Sequence, residues 1–245
     1  LGFHRVSPAP VVRPGDCVPL PFLRVPVTIE VKICGVRTPA ILDAAIAAGA
    51  DFVGLVFFQK SPRNLTREDA QGLAAAARGR AKTVAVMVDP DDALIDAVAA
   101  EVQPDFLQLH GSETPERVAA IKARTGLRIF KAVPVAEAVD LTAAAVYAGV
   151  ADEILFDAKA PAGADLPGGN GMRFDWKLLE GATAPFALSG GLDASNVAEA
   201  IRLSGAALVD VSSGVETAPG EKDAELITHF IRAVRDAAPQ HKKAS

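Results

Sequence analysis

The chain has 245 residues, half of them hydrophobic, and 25 Lys and Arg stand against 30 Asp and Glu for a formal net charge of -5. That length suits one domain with a sizeable core, since α/β barrels occupy about 200–250 residues as a unit. The mild acidity excludes the basic footprint of a nucleic-acid binder, and no apolar run approaches the roughly 18 residues of a membrane span. No signal-peptide layout opens the sequence, and Cys17 and Cys34 make no disulfide framework, so the expected setting is the reducing cytoplasm.

In chain order, residues 1–29 read as a flexible Pro-rich extension, with Pro8, Pro10, Pro14, Pro19, Pro21 and Pro26 removing donors and disfavouring helix. A catalytic domain is expected over 30–237 and a short tail over 238–245. Eight strand-like runs follow: Val31–Cys34, Phe52–Phe57, Thr83–Val88, Phe106–His110, Arg128–Val133, Glu153–Asp157, Phe186–Ser189 and Ala207–Ser212. Ala-rich helical segments separate them. Thr38-Pro39 and Thr114-Pro115 are helix starts, Thr66 with Asp69 reads as a capping box, Ser195 is placed to cap a helix through Val197, Ala200 and Ile201, and a last helix covers about Asp223 to Arg235. Gly49 and Gly79 close the first two helices. Eight β-then-α units predict an α/β fold, a single (β/α)8 TIM barrel with a Pro-rich N-terminal extension. An open doubly wound sheet is the alternative, but no G-x-G-x-x-G turn follows the first strand.

Barrel enzymes carry their chemistry at the C-terminal ends of the strands. Alternation puts Lys32 and Cys34 on one face and Ile33 on the other. It likewise aligns Leu155 with Asp157, and Leu208 with Asp210 and Ser212. With His110 ending strand 4, the mouth is expected to hold a thiol, two carboxylates and an imidazole above a floor of aliphatics. The loops Ser189-Gly190-Gly191-Leu192 and Ser212-Ser213-Gly214-Val215-Glu216 follow strands 7 and 8, where barrels often bind phosphate through backbone N–H groups. The ligand set implied is a small sugar phosphate.

Lys32-Ile33-Cys34-Gly35, Ser61-Pro62-Arg63, Gln108-Leu109-His110-Gly111, Asp157 with Phe174-Asp175-Trp176, Leu188-Ser189-Gly190-Gly191-Leu192 and Asp210-Val211-Ser212-Ser213-Gly214-Val215-Glu216 together resemble the phosphoribosylanthranilate isomerases of tryptophan biosynthesis. The resemblance covers about residues 30 to 236; Asn170 stands where Thr is more usual. It implies an Amadori rearrangement of N-(5-phosphoribosyl)anthranilate to the 1-amino-1-deoxyribulose phosphate. It also implies Cys34 as the base, Asp157 as the acid and Arg63 as the holder of the anthranilate carboxylate. Gly190, Gly191, Ser212, Ser213 and Gly214 are then expected to hold phosphate, and Asp210 to contact substrate. The implied demands are a Cys34 thiolate, favoured by nearby Lys32 or by substrate polarity, and an Asp157 that keeps a proton. His110, Glu216, Asp175 and Trp176 are read as structural, and the long Gly- and Pro-rich loop from Ala158 to Arg173 as a lid.

Such a rearrangement is redox-neutral, so no cofactor is expected. Four scattered His and two Cys offer no metal-ligand spacing. The protein is expected to act without nucleic acid or membrane, as a monomer or homodimer. Two other readings remain. One is another phosphate-binding barrel enzyme of amino-acid biosynthesis, such as an indole-glycerol-phosphate synthase, although strand 3 ends without a Lys; a dual-substrate isomerase would pair two Asp residues. The other is a non-catalytic barrel that binds a phosphorylated metabolite, which would need neither Cys34 nor Asp157.

Overall fold

A computed structural model describes residues 28–237 except 162, 165, 167, 170 and 183. Cys17, Asn170, most of the N-terminal extension and the expected tail lie outside the described residues. In order the elements are β1 (Glu30–Cys34), α1 (Pro39–Ala48), β2 (Phe52–Phe57), α2 (Arg67–Ala77), β3 (Lys82–Met87), α3 (Asp92–Glu101), β4 (Phe106–Leu109), α4 (Pro115–Thr125), β5 (Arg128–Val135), α5 (Ala138–Ala144), β6 (Glu153–Ala158), β7 (Ala187–Leu188), α6 (Val197–Ser204), β8 (Leu208–Val211), the pair β9 (Glu216–Ala218) and β10 (Glu221–Lys222), and α7 (Ala224–Ala237). Strands β1 to β8 close into a parallel barrel in sequence order, with β8 returning to β1. This is the (β/α)8 TIM barrel that the alternation of strand and helix signals predicted. No helix among the described residues is long and apolar enough to cross a membrane.

Side-chain alternation divides the burial between two cores. Val31, Ile33, Val53, Leu55, Ala85, Met87, Leu107 and Val209 point outward and pack under the helices. Cys34, Phe52, Val56, Val84, Val86, Phe106, Phe130, Leu155 and Leu208 point inward. The barrel interior corrects the expected aliphatic floor. Phe52, Phe106 and Phe130 meet there with ring centroids 5.1–5.8 Å apart in tilted or edge contacts. Such pairs contribute about 0.5–1.5 kcal/mol each beyond their buried area. Few aromatics suffice, because three of them come to one layer.

Thr38 and Thr114 cap α1 and α4 through their side-chain oxygens, each with Pro at the first helical turn. Three local expectations are corrected. Thr66 accepts from the Asp69 amide, but its hydroxyl donates to the Asp69 carboxylate, so the reciprocal half of the capping box is absent there. Ser195 does not cap α6: its amide and hydroxyl both turn back to the stronger acceptor, the Asp193 carboxylate, in an Asx turn. The sixth unit has no α-helix among the described residues. Its Gly- and Pro-rich stretch disfavours helix and ends in one 3-10 turn, Trp176–Leu179, which buries Trp176 and Leu179. The antiparallel pair β9–β10 was not foreseen; it is turned by Pro219-Gly220, with Gly220 at φ +85°.

Candidate active site

At the C-terminal ends of the strands lies one open cavity of about 820 Å³, mouth included. Cys34, Arg63, Asp157, Gly190, Gly191, Asp210, Ser212 and Ser213 all line it. Of the residues expected at the site, only Gly214 is not part of the wall. It packs where loops β7–α6 and β8–β9 touch, and a Cβ there would fall 1.9 Å from the Leu192 carbonyl oxygen.

The strand register builds the thiol side. Lys32 pairs across to Asp210 and Cys34 to Gly54. Lys32 is fully buried, and its Nζ donates to Asp210 Oδ1 at 2.9 Å. Burial alone would depress this ammonium, but Asp210 and the Cys34 sulfur outweigh it and hold the lysine above its ordinary value. For Cys34 the balance goes the other way: burial pushes the thiol up, Lys32 and Lys222 oppose it, and Asp210 adds to the rise. The expected net depression of the thiol is therefore not met: Lys32 does favour the thiolate, but burial outweighs it and Asp210 adds to the rise. Ser212 Oγ donates to the Cys34 carbonyl at 3.1 Å and ties β8 to the end of β1.

The acid side is set by β4 and β6. Asp157 is buried, and its Oδ1 accepts from the Ala158 amide at 2.9 Å. Its Oδ2 lies 3.0 Å from His110 Nε2, and His110 Nδ1 lies 2.9 Å from Gln108 Nε2. The His110 ring is thus bracketed by the Gln108 amide on one nitrogen and the Asp157 carboxylate on the other. His110 lines the cavity, so the sequence reading that left it structural missed its place beside the carboxylate. Its position two residues after an inward Gln108 was the available signal. Gly168 packs against this pair, and Leu166, Gly169 and Gly171 join it in the wall.

Arg63 reaches the cavity from the loop after β2. Glu216 grips it in a fork, Nε to Oε1 and Nη2 to Oε2, both at 2.8 Å. Glu216 also binds Lys222 Nζ, and Lys222 reaches the Ser212 carbonyl at 3.2 Å. Burial would raise Glu216, but Arg63 and Lys222 hold it below its ordinary value. Lys222 lies below its own, because burial outweighs the help from Glu216. Glu216 lies behind the wall as the shared partner of Arg63 and Lys222; Lys222 escaped notice because nothing local marks a lysine in a Gly-Glu-Lys turn as buried.

A thiol and a carboxylate facing one cavity can move protons at adjacent carbons. An Arg fork and two Gly/Ser loops can hold two anionic groups on one ligand. Fold and site together define a phosphosugar-type (β/α)8-barrel with acid–base equipment. The family model of N-(5'phosphoribosyl)anthranilate (PRA) isomerase matches residues 31–233. The chain is 55% identical over 210 residues to N-(5'-phosphoribosyl)anthranilate isomerase of Sinorhizobium medicae, covering 85% of this chain and 98% of that protein. It is 53% identical over 214 residues to the protein of that name from Brucella canis, covering 86% and 96%. Among solved structures, phosphoribosyl anthranilate isomerase from Thermotoga maritima superposes with a TM-score of 0.77 at 36% identity, covering 85% of this chain and 99% of that one. A phosphoribosyl anthranilate isomerase in complex with reduced 1-(o-carboxyphenylamino)-1-deoxyribulose 5-phosphate gives a TM-score of 0.74 at 34% identity, covering 85% and 99%. The chain belongs to the N-(5'-phosphoribosyl)anthranilate isomerase family.

Proposed function

We propose that the chain catalyses the Amadori rearrangement of N-(5-phosphoribosyl)anthranilate to 1-(2-carboxyphenylamino)-1-deoxyribulose 5-phosphate in tryptophan biosynthesis. The observation that carries this reading is the gathering of Cys34, Asp157, Arg63 and the two Gly/Ser loops on one cavity of a family member. Asp157 donates a proton to the ring oxygen, the C1–O bond breaks, and the ring opens to a protonated Schiff base. Cys34, as thiolate, removes the C2 proton and leaves an enolamine. Tautomerisation moves a proton to C1 and releases that on the C2 hydroxyl, giving the ketone, and return of the proton from Cys34 to Asp157 through solvent resets both groups. Atoms balance without any further reactant.

Arg63 is already held flat by Glu216, so its free edge meets the anthranilate carboxylate without losing side-chain freedom on binding. Gly190 and Gly191, with Ser212 and Ser213, hold the phosphate, and Asp210 keeps Lys32 oriented beneath the substrate. This reading places the enzyme in the cytoplasm, as a monomer or homodimer. The loop 158–173 acts as a lid: a product analogue should slow its cleavage by protease, and equal cleavage with and without the analogue would refute that motion.

The test is loss of substrate fluorescence with freshly generated phosphoribosylanthranilate. Cys34→Ala and Asp157→Asn, with circular dichroism unchanged, should each lower kcat by about 10²–10⁴-fold. An inactive wild type beside a working control enzyme would reject the function. An active Cys34→Ala would reject only the choice of base.

A further inference from the structure

The buried charges around the thiol do not cancel. Lys32 and Asp210 pair one to one. Behind them Arg63 and Lys222 share the single carboxylate of Glu216, and the three side chains are 7%, 2% and 3% exposed. That trio carries one surplus positive charge, and a buried surplus charge is costly unless an anion answers it. Hairpin β9–β10 fixes where the surplus sits. Lys222 Nζ is held by Glu216 and by the carbonyl and hydroxyl of Ser212, at 3.2 and 3.4 Å. The same Ser212 hydroxyl donates to the Cys34 carbonyl. The hairpin is pressed against the loop that carries Arg63, for a Cβ on Gly220 would lie 2.6 Å from the Pro62 carbonyl oxygen. Lys222 therefore cannot swing away from the end of β1.

We propose that Lys222 is a positioning residue for the reaction: its buried ammonium joins Lys32 in stabilising Cys34 as a thiolate, and Glu216 tunes that charge by sharing one carboxylate between Lys222 and Arg63. The proposal rests on Cys34 being the base. Other charged or titratable groups facing the thiol are Lys32 on β1, Asp210 on β8 and Arg63 behind Gly35; Asp157 and His110 line the wall across the barrel. Lys32 is compensated by Asp210, whereas Lys222 is only half compensated by Glu216. The mutual influence of Lys222 and Cys34 agrees in sign with this arrangement, each favouring the charged form of the other.

The test reads the thiol without turnover. In a Cys17→Ser background, the rate of iodoacetamide labelling of Cys34 is followed by intact mass from about pH 6 to about pH 10, spanning the ordinary thiol value. Lys222→Met should move the rise in labelling upward by about one pH unit or more, and the acid limb of kcat/KM with it. Lys222→Arg should restore both. Glu216→Gln removes the shared negative charge and should move labelling the other way, to lower pH. Opposite shifts from two neighbours are not the signature of general damage, and they remain readable if either variant is less stable. A labelling profile unchanged in folded Lys222→Met, or an upward shift in Glu216→Gln, would overturn the proposal. So would a Lys222→Met defect confined to KM, which would assign the lysine to phosphate binding. Because labelling needs no catalysis, failure of Cys34 as base shows separately, in an active Cys34→Ala.

Discussion

Two buried lysines, each paired with a buried carboxylate, sit on strands of the same barrel and do different work. Lys32 and Asp210 face inward from β1 and β8, 2.9 Å apart, beneath the cavity. Lys131 and Glu113 lie 2.8 Å apart on the outer face of β5 and the loop after β4. The outer pair is saturated. Lys131 also donates to the carbonyls of Leu109 and Gly111, and Glu113 accepts from the amides of Asp89 and Gly111. Tyr147 closes the cluster through its hydroxyl bond to the Glu113 carbonyl. It fastens the loops after β3 and β4, including Asp89 in a left-handed conformation at φ +45°. The inner pair has fewer partners: Asp210 takes a long bond from Ser189 at 3.4 Å, and the charge of Lys32 is felt by Cys34. Equal burial thus accompanies unequal satisfaction, and the less satisfied pair is the one at the cavity.

The largest effect is expected where a charge is left with nothing to replace its partner. Asp210→Asn keeps the shape but strands the Lys32 ammonium, which should cost about 3–5 kcal/mol in urea unfolding. The folded fraction should also lose activity. Lys131→Met should cost less, because Glu113 keeps the two amides as donors, and kcat per folded molecule should fall less than stability does. If Lys131→Met proves the more damaging to turnover, the division between fastening pair and working pair is wrong.

A smaller effect separates the space around the thiol from its charge. Gly54 stands beside Cys34 in β2, and a Cβ there would lie 2.9 Å from the sulfur and 3.0 Å from the Cys34 Cα. One of those contacts is backbone, so the site cannot yield by rotating the thiol alone. Gly54→Ala should cost about 1–3 kcal/mol by overpacking. Its kcat should drop while KM changes little, since the three atoms nearest that Cβ all belong to Cys34. An unchanged kcat would mean that the position of the sulfur is not critical.

Parity along strands was the legible part of this site. Once Ile33 was assigned to the helix side, Cys34 had to face inward, and the same reasoning placed Asp157, Asp210 and Ser212. The partners across the barrel were not legible. Arg63 and Glu216 are 153 positions apart, and no local pattern tells a forked ion pair from two solvated charges. The aromatic layer was hidden for a similar reason: Phe52, Phe106 and Phe130 are isolated in sequence and meet only when the barrel closes. Ser195 misled because a hydroxyl before a helix is a good cap only when no carboxylate competes for it.

The smallest expected effect sets the baseline against which both buried pairs are read. Arg67 and Glu101 make a 2.7 Å ion pair with both side chains about half exposed. Water and salt screen such a pair, and its usual contribution is about 0–1 kcal/mol. Its placement weakens it further. Arg67 is the first residue of α2 and Glu101 the last of α3, so each charge opposes the dipole of its own helix. Glu101→Gln loses the pair but also removes an anion from a helix C-terminus, and the two changes offset. The unfolding free energy from urea titration should change by less than about 0.5 kcal/mol, in either direction. A loss as large as that of Asp210→Asn would mean that proximity of opposite charges, rather than their burial and satisfaction, decides what an ion pair contributes here, and the contrast between Lys32 and Lys131 would lose its basis.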